Sequence, residues 1–316
     1  MDASIVCVNW NSVDYLRECL ASIYETTRGV AFEIIVVDNA SPAGDVTILQ
    51  HEFPEITIVK STRNLGFAGA NNLGFRQSVG DHVLFLNPDT RLITPAISTM
   101  LQHLRSLPDA GIVGCKLLNS DLSIQTQSIQ KFPTILNQLL DIEYLRLRCP
   151  NVKLWAIGPL FAEPVGPIKV EVIPGACQFL KREVFEAAGL YSEDYFMYAE
   201  DIDLNYKVAA LGLGSYYIGE AVIIHHGGTS SRHQKLSQWS TKMKFRAMVT
   251  LYRKWHGRLY STAYRAAMAA SAVCRLAVLA LVFPFKTVKQ SRDMVRVTAA
   301  KWLAVLKCAV GLGAWV

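Results

Sequence analysis

The chain has 316 residues, enough for one large α/β domain and an appendage, and its 51% hydrophobic content and mean hydropathy of +0.22 are high for a soluble protein. Seven scattered cysteines, none in CxxC spacing, fit reduced thiols in a cytosol better than a disulfide framework or a zinc site. The net charge of +6 hides two opposed parts: residues 1–231 carry 16 Lys and Arg against 25 Asp and Glu (net −9), whereas 232–316 carry 16 against the single acid Asp293 (net +15).

In chain order, strands are predicted at Ser4–Val8, Glu33–Val37, Ile56–Lys60, His82–Leu86 and Gly111–Cys115, from short apolar runs bounded by turn residues. The first begins too close to Met1 to leave room for a secretory leader. Helical patterns fall between them at Ser12–Tyr24, Gly44–Phe53, Ala68–Ser78 and Thr94–Ser106, with Ser12 and Thr94 as N-caps and Pro95 in the first turn. This alternation predicts an α/β domain with a mostly parallel central sheet and helices on both faces. Residues 116–170 are irregular and read as an excursion over the active-site face. Order returns at Val172–Leu180, followed by a helix near Asp201–Leu211 and strands at Gly214–Ile218 and Val222–His225.

From Lys235 onward the pattern is helical and basic. Ala266–Phe285 runs 20 residues with Arg275 as its one charge, a length that could just span a bilayer. Arg275 sits mid-segment, however, and a second apolar stretch, Trp302–Val316, is short and contains Lys307. Apolar helices flanked by basic residues, with Trp255 and Trp302 as interface anchors, suit a region lying on an anionic membrane surface. A basic subdomain packed on protein is the alternative. Nucleic acid is disfavoured, because the basic residues are interleaved with apolar runs that need burial.

Six segments carry side chains suited to chemistry. Val8-Asn9-Trp10-Asn11-Ser12 is a strand-to-helix junction whose polar groups suit a nucleotide, although Asn and Ser also start helices for their own sake. Asp38 and Asn39 close the second strand, where a carboxylate can accept from ribose hydroxyls; a structural turn is equally compatible. Arg63-Asn64-Leu65-Gly66-Phe67-Ala68-Gly69-Ala70-Asn71 offers close backbone approach and donors in Arg63, Asn64 and Asn71, but no GxGxxG, which disfavours NAD.

Leu86-Asn87-Pro88-Asp89 ends the fourth strand. Pro88 stops the ladder and leaves Asp89 at the carboxyl edge of the sheet, where ligands bind in open α/β folds. A carboxylate there can hold a hard divalent cation against a diphosphate. Glu200, Asp201 and Asp203 open a helix after an aromatic stretch, so a carboxylate in a partly dry pocket could act as general base, with helix capping as the alternative. His225-His226-Gly227-Gly228 closes the last apolar strand, where His225 could meet metal or phosphate.

Taken together, Val8-Asn9-Trp10-Asn11, Val37-Asp38-Asn39-Ala40-Ser41, Asn64-Leu65-Gly66-Phe67-Ala68, Leu86-Asn87-Pro88-Asp89-Thr90, Pro174-Gly175-Ala176, Phe196–Leu204 and His225–Ser230 resemble the family 2 glycosyltransferases, most of all their rhamnosyltransferase-like branch. The likeness runs over residues 3–231. It implies a GT-A fold, a nucleotide-sugar donor, a divalent cation (Mg²⁺ or Mn²⁺) and inversion at the anomeric carbon. Carried onto this chain, it implies catalytic Asp201 with Glu200 beside it, a metal site at Asp89 and His225, and donor contacts at Asn9, Asn11, Asp38, Asn39, Arg63, Asn64, Gly66, Asn71 and Asn87. Asn87 stands where relatives have a first acid, and Lys207 where they often have Arg, losing a planar fork for phosphate.

The expectation is therefore a catalytic domain over 1–231 and a basic membrane-associating region over 232–316. The enzyme would move rhamnose from dTDP-rhamnose to a saccharide acceptor, lipid-linked, on the cytoplasmic face of the plasma membrane. A UDP-hexose or UDP-galactofuranose donor, or a non-catalytic nucleotide- or membrane-binding module, are the alternatives.

Overall fold

The computed structural model describes residues 1–42, 45–163, 166–227, 238–285 and 289–312. The chain divides into two compact units: Met1–Phe132, Ile142–Phe196 and Glu200–Arg232 form the first, and Pro133–Asp141, Met197–Ala199 and His233–Val316 form the second.

The first unit is built on one sheet. Its strands are β1 (Ala3–Asn9), β2 (Phe32–Asp38), β3 (Thr57–Lys60), β4 (His82–Leu86), β5 (Thr90–Leu92), β6 (Ala110–Leu118), β7 (Pro167–Val170), β8 (Cys177–Lys181) and β9 (Gly214–His225). Among the described residues the order is β3-β2-β1-β4-β8-β6-β9-β5, with β7 also on β9. The parallel expectation holds for β3-β2-β1-β4 and for β6 against β9. It fails at β8, which runs antiparallel to both β4 and β6, and at β5 and β7, which run antiparallel to β9. The sheet is thus mixed, because β8 enters from the irregular excursion rather than from a helical crossover. The two strands expected at Gly214–Ile218 and Val222–His225 are one strand with a register shift against β6 between them.

Strand residues alternate between two cores, as the period of two requires. Ile5, Cys7, Ile34, Val36, Leu84 and Leu86 face α1 (Val13–Thr26) and α4 (Ala96–Ser106), burying Leu16, Leu20, Ile23, Ile97, Met100 and Leu104. Val6, Ile35, Val37, Val83 and Phe85 face the other way, toward α3 (Gly66–Arg76), α7 (Arg182–Ala187) and α8 (Glu200–Ala210). Helix α3 lies unusually close to the sheet. A Cβ on Gly74 would meet Val6 Cγ1 at 2.5 Å and Val37 Cγ2 at 2.9 Å.

Two helix starts differ from expectation. Ser12 precedes α1, but its hydroxyl turns back to Asn9 and makes no cap hydrogen bond. Helix α4 begins at Ala96 with Pro95 in the cap position, so Thr94 lies one residue outside and its Oγ1 accepts from Val222 N at 2.9 Å instead. The predicted helix over 44–53 is reduced to a short 3₁₀ turn at Val46–Ile48 and α2 (Leu49–Glu52). Position 44 lies outside the described residues. Within 116–170 are the short helices α5 (Ile135–Leu139) and α6 (Glu143–Arg148), and β7.

The second unit is helical. Its long helix α9 (Gln238–Val282) breaks at Gly257, whose φ of 85° and ψ of 176° are not helical, and α10 (Lys289–Ala309) packs along it. Phe245, Tyr252, Tyr264, Met268 and Ala272 make a core with Val305, Cys308 and Ala309. Arg275, the lone charge of the apolar run, is accounted for inside this unit. Its guanidinium lies 4.4 Å over the Trp302 ring and donates to Leu139 O at 2.8 Å. Trp302 is consequently engaged by protein rather than presented as a free anchor. An 18-residue window of α9 has mean hydropathy 1.7 with 11% of it buried, so by length and composition this helix could cross a membrane. Leu259, Val273, Val278, Leu281, Met294 and Leu303 are exposed on the two helices.

Candidate active site

The carboxyl ends of β1 and β2 form a polar shelf whose asparagines are largely spent on holding it. Asn9 is fully buried. Its amide donates to Asp38 Oδ1 (3.0 Å) and Ser41 Oγ (3.1 Å), and its Oδ1 accepts from both the nitrogen and the hydroxyl of Ser12. Asn39, also buried, accepts from Leu65 N at 2.8 Å and donates to Asn64 Oδ1 and Gly66 O. Asn71 is buried within α3, its amide on Phe67 O. A buried amide must satisfy both ends, so these three shape the shelf from beneath. Asn11, in the left-handed region with φ 55°, Asp38, Arg63 and Asn64 retain exposed surface at its rim.

Gly66 opens α3 with φ +72°, and a Cβ there would lie 2.1 Å from Phe196 O. Only glycine meets both demands. Gly66→Ala is therefore expected to lower unfolding free energy by on the order of 3 kcal/mol. A urea midpoint equal to the parent's would refute this account of the loop.

At the end of β4 the chain turns tightly, with Thr90 Oγ1 donating to Asn87 O at 2.8 Å. Strand β5 then pairs with β9 so that Thr90 stands opposite His225. This register brings three sequence-predicted residues together. His225 Nε2 lies 3.4 Å from Asp89 Oδ1 and 3.3 Å from Asn87 Nδ2, and the Asp89 side chain is 9% exposed.

Sequence reasoning missed a fourth member, Gln125. Its Oε1 lies 3.0 Å from His225 Nδ1, while its Nε2 donates to the His225 carbonyl. An amide oxygen can only accept, so it holds the proton on Nδ1 and leaves the Nε2 lone pair facing both the Asn87 amide, which donates to it, and Asp89. A lone pair and a carboxylate oxygen 3.4 Å apart suit a cation between them. With one carboxylate, one imidazole and an amide, the set fits a hard or borderline divalent ion that takes its remaining ligands from substrate phosphates and water. Among the described residues no group of three or more His, Cys, Asp or Glu gathers into a self-sufficient metal cage.

The same sheet edge reaches the expected base. Asn87 N donates to Ala176 O, and the next residue back, Gly175, donates its N–H to Asp201 Oδ2 at 2.9 Å. Asp201 Oδ1 accepts from Ile202 N. Burial raises the Asp201 carboxyl above its ordinary range, against the pull of these two N–H donors. Glu200 beside it is buried. Asp203 is structural: fully buried, it accepts from Ser192 Oγ at 2.6 Å and faces Lys207 Nζ at 3.6 Å. Lys207 also donates to Leu190 O, so it braces the aromatic segment instead of reaching for a phosphate.

The profile of glycosyl transferase family 2 matches residues 4–189, more than half of the chain. This chain is a family 2 glycosyltransferase. The enzyme is 26% identical over 257 residues to the O-antigen biosynthesis protein RfbC of Myxococcus xanthus, covering 77% of this chain but 18% of that longer protein. It is 25% identical over 252 residues to N-acetylglucosaminyl-diphospho-decaprenol L-rhamnosyltransferase of Mycobacterium tuberculosis, covering 76% and 81% of the two chains. Rhamnosyltransferase WbbL of Escherichia coli is also 25% identical, over 77% of this chain and 90% of its own. Two of these three relatives are named as rhamnosyltransferases.

Among solved structures, mannosyltransferase PcManGT of Pyrobaculum calidifontis, in complex with GDP-Man and Mn²⁺, superposes with a TM-score of 0.60 at 18% identity, over 98% of this chain and 86% of that one. That likeness establishes the GT-A fold. Asp201 and His225 lie beyond residue 189, outside the stretch that the family profile matches.

Proposed function

We propose that this glycosyltransferase moves rhamnose from dTDP-rhamnose, with inversion and with a divalent cation, onto a lipid-linked saccharide during assembly of a surface polysaccharide or cell wall. The observation that carries the reading is the continuous edge running from Asp89, Asn87 and His225 through Ala176 and Gly175 to Asp201. It supports reading the Asp89 end as the leaving-group site and Asp201, whose proton affinity is raised by burial, as the general base. The names of the curated relatives support the sugar and the lipid-linked acceptor.

In this reading the Asp38 shelf holds the donor nucleoside. Asp201 takes the proton from an acceptor hydroxyl as that oxygen attacks the anomeric carbon, and the bond from that carbon to the diphosphate breaks. Asp89 and His225 would hold the cation, with Asn87 beside them, and when bound it would supply positive charge to the departing diphosphate. The exposed apolar residues of α9 and α10, in a +15 region, support peripheral attachment to the cytoplasmic face of an anionic membrane.

The test is transfer of label from dTDP-rhamnose to a membrane lipid extract with Mg²⁺, Mn²⁺ or chelator, run beside UDP-sugars. Metal-dependent labelling from dTDP-rhamnose is expected; labelling from UDP-sugars alone would discard the rhamnose assignment. Flotation with anionic liposomes is expected to carry the full chain, and failure to float would discard the membrane assignment.

Gln125 should then act as a positioning residue for His225. Outer partners of metal-bound histidines contribute about 10–100-fold to metal affinity. Gln125→Leu is expected to weaken Mn²⁺ binding in the presence of a nucleoside diphosphate by that factor, read by electron paramagnetic resonance. Gln125→Glu, which still accepts from Nδ1, should recover much of it; unchanged affinity in the Leu variant would remove Gln125 from the site.

A further inference from the structure

Asp201 is gripped by a buried polar network that the sequence pattern does not announce. Asn205 lies one helical turn beyond Asp201 on α8, on the same face, and is 1% exposed. Its amide makes four hydrogen bonds, which is its full capacity. Nδ2 donates to Asp201 O at 2.7 Å and to Ile173 O at 2.9 Å. Oδ1 accepts from Ile173 N at 3.1 Å and from Ser215 Oγ, on β9, at 2.7 Å.

Ile173 belongs to no strand, yet it is buried, so its backbone groups need partners. Asn205 supplies both, as a neighbouring strand would. Gln178 of β8 adds a second donor to Ile173 O at 2.7 Å and is itself fixed by the Tyr191 hydroxyl at 2.6 Å. Pro174 follows and has no N–H to offer. The next donor along the chain is therefore Gly175 N, the one that reaches Asp201 Oδ2. This loop presses directly on the acid: a Cβ on Gly175 would meet Asp201 Cβ at 3.2 Å and Phe67 Cζ at 3.4 Å.

Asn205 thus holds both sides of one contact, the helix residue that carries the carboxylate and the loop that carries its donor. Misplacing a reacting group by about 1 Å can cost on the order of 10²-fold in rate. We propose that Asn205 is a positioning residue for sugar transfer, fixing the Asp201 carboxylate through its backbone and through the 173–175 loop; this rests on Asp201 as the base proposed above.

The experiment is a double-mutant cycle on the full chain, with whichever nucleotide-sugar donor labels lipid in the transfer assay. Asn205→Ser is the first variant, because a serine hydroxyl still donates to the carbonyl four residues back and spares the helix while releasing Ile173. It is expected to lower kcat by about 10–100-fold, with the donor KM within about twofold of the parent's. In the Asp201→Asn background the same substitution should cost less than about twofold, since a residue that acts through the carboxylate loses its effect once the carboxylate is gone. Ser215→Ala, which removes a single bond to Asn205, should show the same masking with a loss of about two- to fivefold. Equal losses in both backgrounds would make Asn205 merely architectural and overturn the proposal, as would an unchanged kcat in Asn205→Ser. Asp201→Asn transferring at the parent's rate would bring down the base reading, and this inference with it. Amide exchange at Gly175 needs no donor. Asn205→Ser should speed it by about tenfold or more, and parent-like protection would overturn the tie by itself.

Discussion

Asp201→Asn is expected to reduce sugar transfer by about 10²–10⁴-fold, the usual contribution of a positioned general base, while the protein stays folded. The substitution keeps the shape of the side chain and removes its ability to take a proton. In the parent, the acid limb of kcat/KM should fall with a midpoint above the ordinary carboxylate value of 3.8, because burial raises the Asp201 carboxyl. The linked effect on folding has a definite sign. A carboxyl with raised proton affinity in the folded state contributes stability that is complete below its unfolded pKa and is lost as pH rises through the folded value. The difference in melting temperature between variant and parent should therefore move in the variant's favour as pH rises through that window. A variant that retains transfer, or a difference flat with pH, would remove Asp201 from the role of base.

Asp89→Ala should have the next largest effect. Losing the carboxylate leaves His225 and Asn87 as neutral groups, and neither offsets a divalent charge. Transfer is expected to fall by about a hundredfold or more, since even outer partners of metal ligands contribute about 10–100-fold. The Mn²⁺ signal that develops with nucleoside diphosphate should disappear, and excess Mn²⁺ should restore part of the activity. The turn itself should survive, because its link to His226 runs through the Asp89 backbone carbonyl, not the side chain. An Asp89→Ala protein that binds Mn²⁺ like the parent would send the metal site elsewhere.

Much of this site is legible in the sequence because it lies where buried strands stop. The apolar runs ending at Asn9, Asp38 and Leu86 are short and sharply bounded, and parallel strands in one sheet send those ends to the same edge. What the sequence hides is how polar groups spend their hydrogen bonds. Asn9, Asn39 and Asn71 read as ligand donors along the chain, but each is buried and satisfied by protein. Lys207 reads as a phosphate contact until Asp203 is seen beside it.

Gln125 gives no local signal. It sits in an irregular stretch, 100 residues from its histidine, and only the β6–β9 pairing brings the two segments together. The antiparallel course of β8 is hidden for a similar reason. An apolar run of five residues states burial but not direction.

The composition of the second unit bears on how a catalytic fragment should be cut. Pro133–Asp141 belongs with the tail although it lies a hundred residues upstream of it. Ile135 and Leu139 pack against the tail's core, Tyr260 Oη accepts from Ile135 N, and Arg275 holds Leu139 O. Ending the protein at residue 231 would strip α5 of these partners and leave Ile135, Leu136, Leu139 and Leu140 as an orphaned sticky loop on the remainder. A soluble fragment would have to replace that loop with a short polar bridge as well as remove the C-terminal helices.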